Sequence, residues 1–207
     1  MSASDDHSTH GHDHTHDPDS GGHASHGQPS ADASVRPARL NDLAAVGQVQ
    51  AALWRSSYGS VLSAEVLDRL DAAAFARVWR ASLTSAPSER HQLLVARAGA
   101  QVVGLAAVGP SEDRDSDDGA GELLVLGVHP EARRQGHGSR LLNAAITALQ
   151  DAGAVRVRAW VLADHDDTRA FLAAAGLEPD GAHRARVVDG DGRTVRELRL
   201  TAELLGR

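Results

Sequence analysis

The chain has 207 residues, no cysteine and a formal charge of −7 at pH 7. That allows one sizeable domain with a tail and excludes disulfides, thiolate metal sites and a cysteine nucleophile. All 21 basic residues are arginine, which also excludes Schiff-base chemistry and the P-loop lysine.

Residues 1–33 hold six aspartates, seven of the twelve histidines and almost no large apolar side chain. Such a segment cannot offset its ordering entropy by burial, so a disordered tail is expected. His10, His12, His14 and His16 alternate in a way that could chelate Zn, Ni or Cu, with a solvated tail as the alternative. From residue 34 on, 22 acids face 21 arginines, and this near balance does not suggest a nucleic-acid surface. No apolar run approaches the ~20 residues of a membrane span. The N-terminus lacks the apolar core of a secretion signal, and a cytoplasmic location is expected.

Residues 34–207 read as a single domain. Aromatics make up only 3% of the chain, so its core must be built from Ala, Leu and Val. A short strand around Val35 is followed by a helical pattern over 40–58, with Asn41 or Asp42 as its start signal. Ser63 opens a second helix with a capping-box pattern, and 71–85 reads as further helix. Two strands over 91–110 turn at Ala98-Gly99-Ala100. After an acidic loop at 112–118, expected as a solvated tip, "ELLVLGVHP" is apolar enough for a strand buried on both faces. Leu141, Leu142, Ala145, Ile146 and Leu149 form one stripe of a helix ending near Gly153. A strand over 154–162, a helix with a Gly stop at Gly176 and a terminal hairpin complete the order.

Between the apolar strand and the leucine-striped helix lies "HPEARRQGHGSRLL". A strand leading through glycines into a helix makes an anion site, because the first amides of a helix have no internal partner. Gly136 and Gly138 leave room for a bulky anion, and Arg133 and Arg134 add charge at the rim. A pyrophosphate fits. A Walker A loop fails for want of lysine, and a dinucleotide fingerprint fails because Leu141 stands where a small residue is needed.

Val128-His129-Pro130, then Arg133, Gly136 and Gly138, then Leu141-Leu142, resembles the acetyl-CoA signature of the GNAT superfamily of N-acetyltransferases. "LWRSSYGSVLSAEVLDRL" is similar to the first two helices of many bacterial members, and "RAFLAAAGL" resembles a later helix of the family. The resemblance implies a mixed α/β fold with a mostly antiparallel sheet of about six to seven strands and about four helices. It implies acetyl-CoA as co-substrate and no metal. Backbone amides of Arg134, Gln135, Gly136, His137, Gly138 and Ser139, with Arg133 at the rim, would hold the pyrophosphate. Leu126, Gly127 and Val128 would pair with the pantetheine arm as an added strand. Gly127 would mark a bulge or close approach, with a packing concession as the alternative.

The resemblance also implies an amine acceptor, and it leaves a homodimer open. Glu122 stands where some members carry a general base; a solvated glutamate at a strand start is the other reading. The family's usual tyrosine acid is replaced by Leu172. Its cofactor-binding asparagine is replaced by His165, which could bind the cofactor, donate a proton or simply start a helix. Tyr58, the sole tyrosine, falls where the family lines its acceptor groove, and Trp54 reads as core; packing roles for both are the alternative. His137 is expected to face solvent or the cofactor's rim. An oxyanion donor is expected from a bulge near Val128. A CoA-binding sensor without catalysis and a metal-handling module led by the tail are the competing functions.

Overall fold

A computed structural model describes residues 33–204. The histidine-rich stretch, and with it both the expected disordered tail and the competing metal-handling reading, lies outside the described residues. The sheet is built from β1 (Ala33–Pro37), β2 (Gln92–Ala98), β3 (Gln101–Pro110), β4 (Ala120–Val128), β5 (Arg156–Leu162), β6 (Glu178–Val187) and β7 (Thr194–Glu203). The helices are α1 (Leu43–Tyr58), α2 (Ala64–Asp68), α3 (Ala72–Thr84), α4 (His137–Asp151) and α5 (Asp166–Ala173). Seven strands agree with the sequence pattern. The described residues hold five α-helices, with α2 and α3 separate as the sequence pattern has them, and the mixed α/β fold with its mostly antiparallel sheet is as expected.

The strand order is β1-β2-β3-β4-β5-β7-β6. Every neighbouring pair is antiparallel except β4 and β5. Alternation along each strand sends side chains to two faces. Leu94, Ala106, Leu123, Val157 and Leu200 pack beneath the leucine stripe of α4 with Leu172 of α5. Leu93, Val95, Leu105 and Ala107 pack against Leu43, Val46 and Val49 of α1 on the opposite face. The two faces are thus covered by different helices, and β4 lies between them.

Local signals place the helices. Ser63 accepts from the Val66 N–H at 3.4 Å, but the reciprocal half of a capping box is not made, since the third position is Val66. Asp71 caps α3 through the N–H groups of Ala73 and Ala74. Asp42 stands at the start of α1 as expected, yet its side chain does not cap that helix. It accepts two bonds from Arg36 of β1, at 2.7 and 2.9 Å, and one from the Arg39 N–H at 2.7 Å. The Arg36 guanidinium, more than any other contact, holds this buried carboxyl below its usual range. The pair ties the first strand to the first long helix.

Replacing Asp42 by Ala leaves Arg36 without its partner. Charged hydrogen bonds contribute about 1.5–3 kcal/mol each at this level of burial, and urea melts should show a loss of that order. The folded value of Asp42 is depressed, so its contribution is complete above the ordinary carboxylate range and is lost as pH falls below that range through the lower folded value.

Candidate functional site

The glycine stretch forms the turn that its sequence demands. After β4 the chain makes a 3-10 turn over Pro130–Ala132. Arg134 then takes φ 63° and Gly136 φ 79°, both left-handed, and α4 begins at His137. Glycine occupies the left-handed region without a Cβ penalty. Arg140 is the first residue of α4 whose amide is bonded, to the Gly136 carbonyl at 3.2 Å. Among the described residues the amides of Arg134 through Ser139 make no backbone hydrogen bond. This is the cluster of orphan donors that binds anions at helix starts.

The side chains around this turn differ from expectation at three places. His137 does not face solvent or a cofactor's rim: it is 3% exposed, and burial, then the nearby Arg140 charge, lowers its pKa. Arg133 is tied down, with Nε 3.4 Å from the Val128 carbonyl and a terminal nitrogen donating to Ser56 Oγ at 3.2 Å. Arg140, which the sequence reading missed, lays its guanidinium over Gly136 and donates to the Gln135 carbonyl at 3.3 Å. Its signal was present, as an arginine one helical turn beyond the left-handed glycine.

β4 and β5 separate beside this turn. They pair only at Ala120, Gly121 and Glu122, opposite Arg156, Val157 and Arg158. From Leu123 onward β4 makes no ladder with β5, so Leu126, Gly127 and Val128 have no partner strand on that side and border a wedge. The strand is therefore not buried throughout; Leu124 is 46% exposed. The expected bulge is displaced too. Ala107 pairs with Val125 and Val108 with Leu123, which makes Leu124 the inserted residue rather than one near Val128. Gly127 is in regular register. A Cβ there would lie 2.2 Å from Leu53 Cδ1, so the glycine lets α1 approach the sheet.

The end of α1 spans the wide end of the wedge. Ser56 receives Arg133 from the β4 side, and the Ser57 carbonyl accepts from His165 Nε2 on the β5 side at 3.1 Å. His165 is thus more than an exposed helix-start residue, since its ring joins two elements across the opening. Tyr58, next along α1, is buried at 6% exposure, with Trp54 4.9 Å away centroid to centroid. Its hydroxyl accepts a bond from Arg186 of β6. Burial raises the Tyr58 pKa, and the Arg186 charge opposes this. Arg193, in the β6–β7 turn, donates to the Val61 carbonyl. Leu172 lies fully inside the core, so no proton donor stands at that position.

Glu122 marks the vertex of the wedge. Its backbone is the last of β4 to pair with β5, and its side chain points to the face that bears α1. Burial raises its pKa, and the Asp113 charge adds to this. The Arg184 charge and the adjacent Ser111 hydroxyl, which falls short of hydrogen-bond geometry, pull the other way. This is a partly desolvated carboxyl, not a solvated strand end.

The acidic loop is a clasp rather than a solvated tip. Arg199 of β7 donates to Asp113 at 2.9 Å, to Asp115 at 2.7 and 2.6 Å, and to Asp180 at 2.7 Å. Arg158 donates to Asp115 and to Ser116, and Trp160 to Asp113. Both arginines are buried, and the carboxylates compensate their charge. Beside them Glu197, also buried, pairs with Arg184 and Arg186 at 2.7 Å each. Among the described residues no His, Cys, Asp and Glu side chains are grouped to hold a metal ion.

The model of the acetyltransferase (GNAT) family matches residues 52–177. An uncharacterized N-acetyltransferase of Bacillus subtilis is 28% identical over 131 residues, covering 62% of this chain and 71% of that protein. A mycothiol acetyltransferase of Kineococcus radiotolerans is 42% identical over 85 residues, covering 41% of this chain and only 26% of its own length. Among solved structures, a ribosomal-protein-alanine N-acetyltransferase of Brucella melitensis superposes with a TM-score of 0.65 at 23% identity, over 83% of this chain and 99% of that one. A Salmonella typhimurium protein solved with its cofactor acetyl-CoA gives a TM-score of 0.63 at 19% identity, over 85% and 96%. At these identities the structures establish the shared fold.

The clasp has a pH signature. Arg199 hydrogen bonds lower Asp115 to about 2 from an ordinary 3.8. A depressed carboxylate stabilises fully above its unfolded value, so that contribution is lost as pH falls from about 4 towards 2. Thermal melts of D115N across this window should fall less steeply with acid than those of the native chain.

Proposed function

The chain belongs to the acetyltransferase (GNAT) family, and on that premise we propose that it moves the acetyl group of acetyl-CoA to a primary amine, on a small molecule or a protein, by direct attack in a ternary complex. The observation that carries this reading is the wedge. An unpaired strand edge runs from the Glu122 vertex to a helix start whose amides have no partner.

The residues present fit the co-substrate. Amides of Arg134 through Ser139 and the Arg140 guanidinium supply donors for a pyrophosphate. The open edge of Leu126, Gly127 and Val128 suits an extended pantetheine arm bearing amide groups, which would add to β4 as a strand adds to a sheet. Gly138 is not required by internal packing, since a Cβ there would meet Phe171 only at 3.6 Å. When bound, acetyl-CoA supplies an activated acyl group on a thiolate leaving group.

This chain's residues then have distinct tasks. An alkylammonium with a pKa near ~10 must lose a proton before it can attack. Glu122 takes that proton, directly or through water, and its partial desolvation makes it a stronger base than an exposed carboxylate. The extra residue of a bulge has an unpaired amide, and Leu124 offers its N–H to oxygen charge developing at the vertex. We assign Tyr58, at the end of α1, to the acceptor side. Arg186 donates to its oxygen, which leaves the phenol proton free to be given onward. Arg133 and His165 hold the end of α1 across the opening, and we assign them to positioning.

Thiol release over a panel of primary amines tests the activity. Glu122→Gln should lower kcat by about 10²–10⁴-fold with KM for acetyl-CoA little changed. The native rate should rise with pH through a value above the ordinary glutamate range, since the Glu122 pKa is raised and the base must be ionised; E122Q should lack that limb. Coenzyme A alone should stabilise the native chain by about 2.7 kcal/mol at a hundredfold excess over Kd, seen as a raised thermal midpoint. Gly136→Val, which places a side chain at φ 79°, should weaken this binding at least about tenfold. Absence of coenzyme A binding to the folded native chain would overturn the reading.

A further inference from the structure

Glu122 belongs to a row that crosses the sheet. Gln92 pairs with Val108 and Gly109 with Glu122, so His91, one residue before β2, falls level with Gly109. Beyond Glu122 the same row continues to Arg158. Residues paired across strands project to the same face. His91, Gly109 and Glu122 therefore share the face that bears α1, with a glycine in the middle place.

The imidazole occupies the space that glycine leaves. A Cβ at position 109 would stand 2.7 Å from His91 Cδ2 and 2.9 Å from its Nε2. Ser88 holds the ring from the other side, its hydroxyl 2.9 Å from Nδ1. The Ser88 carbonyl also accepts the His91 amide at 3.1 Å. Among the described residues Nε2 has no hydrogen-bond partner, and it lies over Gly109 of β3, the strand paired with β4 at a general spacing of about 4.8 Å. The ring is half-buried, so it touches both the interior row and solvent.

We propose that His91 is the outlet for the proton that Glu122 collects, acting as a positioning and relay residue rather than as the base. The assignment rests on Glu122 being the base, as argued under Proposed function. The ammonium N–H breaks as an O–H forms on Glu122. That O–H then breaks as Nε2 of His91 takes the proton, directly or through one water, and the imidazolium releases it to solvent. Glu122 returns to its ionised form for the next cycle, with no other reactant consumed. Asp113 and Glu112 from the β3–β4 loop, Arg184 from β6, Arg158 from β5 and Ser111 face Glu122 as well. Arg90 and Ser88 flank His91 on its own segment. Of these groups, the imidazole alone fills the gap above Gly109, with Nε2 without a partner among the described residues.

The test uses the full chain and needs no known acceptor. Carbon-13 NMR of the glutamate carboxyls, assigned with E122Q, follows the titration of Glu122. In His91→Gln the Glu122 midpoint should shift by about half a unit or more, because the carboxyl loses the polar group that shares its row. Gly109→Ala retains His91 but displaces its ring, and should move the midpoint the same way. In thiol release with the best amine of the panel, H91Q should lower kcat about tenfold without raising KM for acetyl-CoA. Its rate should also become dependent on buffer concentration and be restored by added imidazole. A Glu122 midpoint unmoved in both variants overturns the proposal, as does a buffer-independent H91Q rate. Either result leaves acetyl transfer intact, because that reading fails only if the native chain releases no thiol or binds no coenzyme A.

Discussion

The site depends on the place where one ladder of hydrogen bonds stops. β4 and β5 are the parallel neighbours of an otherwise antiparallel sheet, and they hold together for three residue pairs only. Beyond Glu122 the peptide groups on that side of β4 are left open, a condition strands normally meet only at a sheet's edge. Here an edge lies in the middle of the sheet. It is shielded from other chains by α1 on one face and α4 on the other, yet it is open to an extended ligand. The bulge at Leu124 falls where the strands diverge, and a bulge bends and twists the strand that carries it.

Keeping such a wedge open takes bracing, and arginine supplies much of it. Arg133 and His165 fix the end of α1 to the two sides of the opening. At the closed end, Arg158 and Arg199 draw the acidic loop over the sheet, and their buried charges are matched by Asp113, Asp115 and Asp180. Glu197 binds Arg184 and Arg186, and Arg186 reaches Tyr58. The planar guanidinium can bond several carboxylates at once, which a lysine ammonium does less well. In a chain without lysine, these networks link the two sides of the wedge through β6 and β7.

Much of the fold was legible because it rests on local periodicity and local stop signals. The alternation of β5, the stripe of α4 and the glycine at the end of each of the last two helices placed those elements directly. The anion turn was legible for the same reason, since a left-handed glycine before a helix is a backbone requirement written in one residue. The burial of His137, the bulge at Leu124 and the arginine partners of the acidic loop are not written in local pattern. Each depends on what lies opposite in space. Inserting one residue in β4 shifts no hydrophobic pattern enough to be seen, and the partners of Asp113 and Asp115 are more than forty residues away in the chain.

The sequence by itself determined the element order, the helix start that offers unpaired amides, and the kinship those residues express. Backbone conformation and burial pattern are properties of neighbours along the chain, and these features need nothing more. Only the tertiary structure decided that Glu122 stands at a vertex, that His165 and Arg133 meet the end of one helix, and that an imidazole fills the gap above Gly109. Those facts are set by strand register and by contacts between distant segments. Both become fixed only when the sheet closes around its two cores.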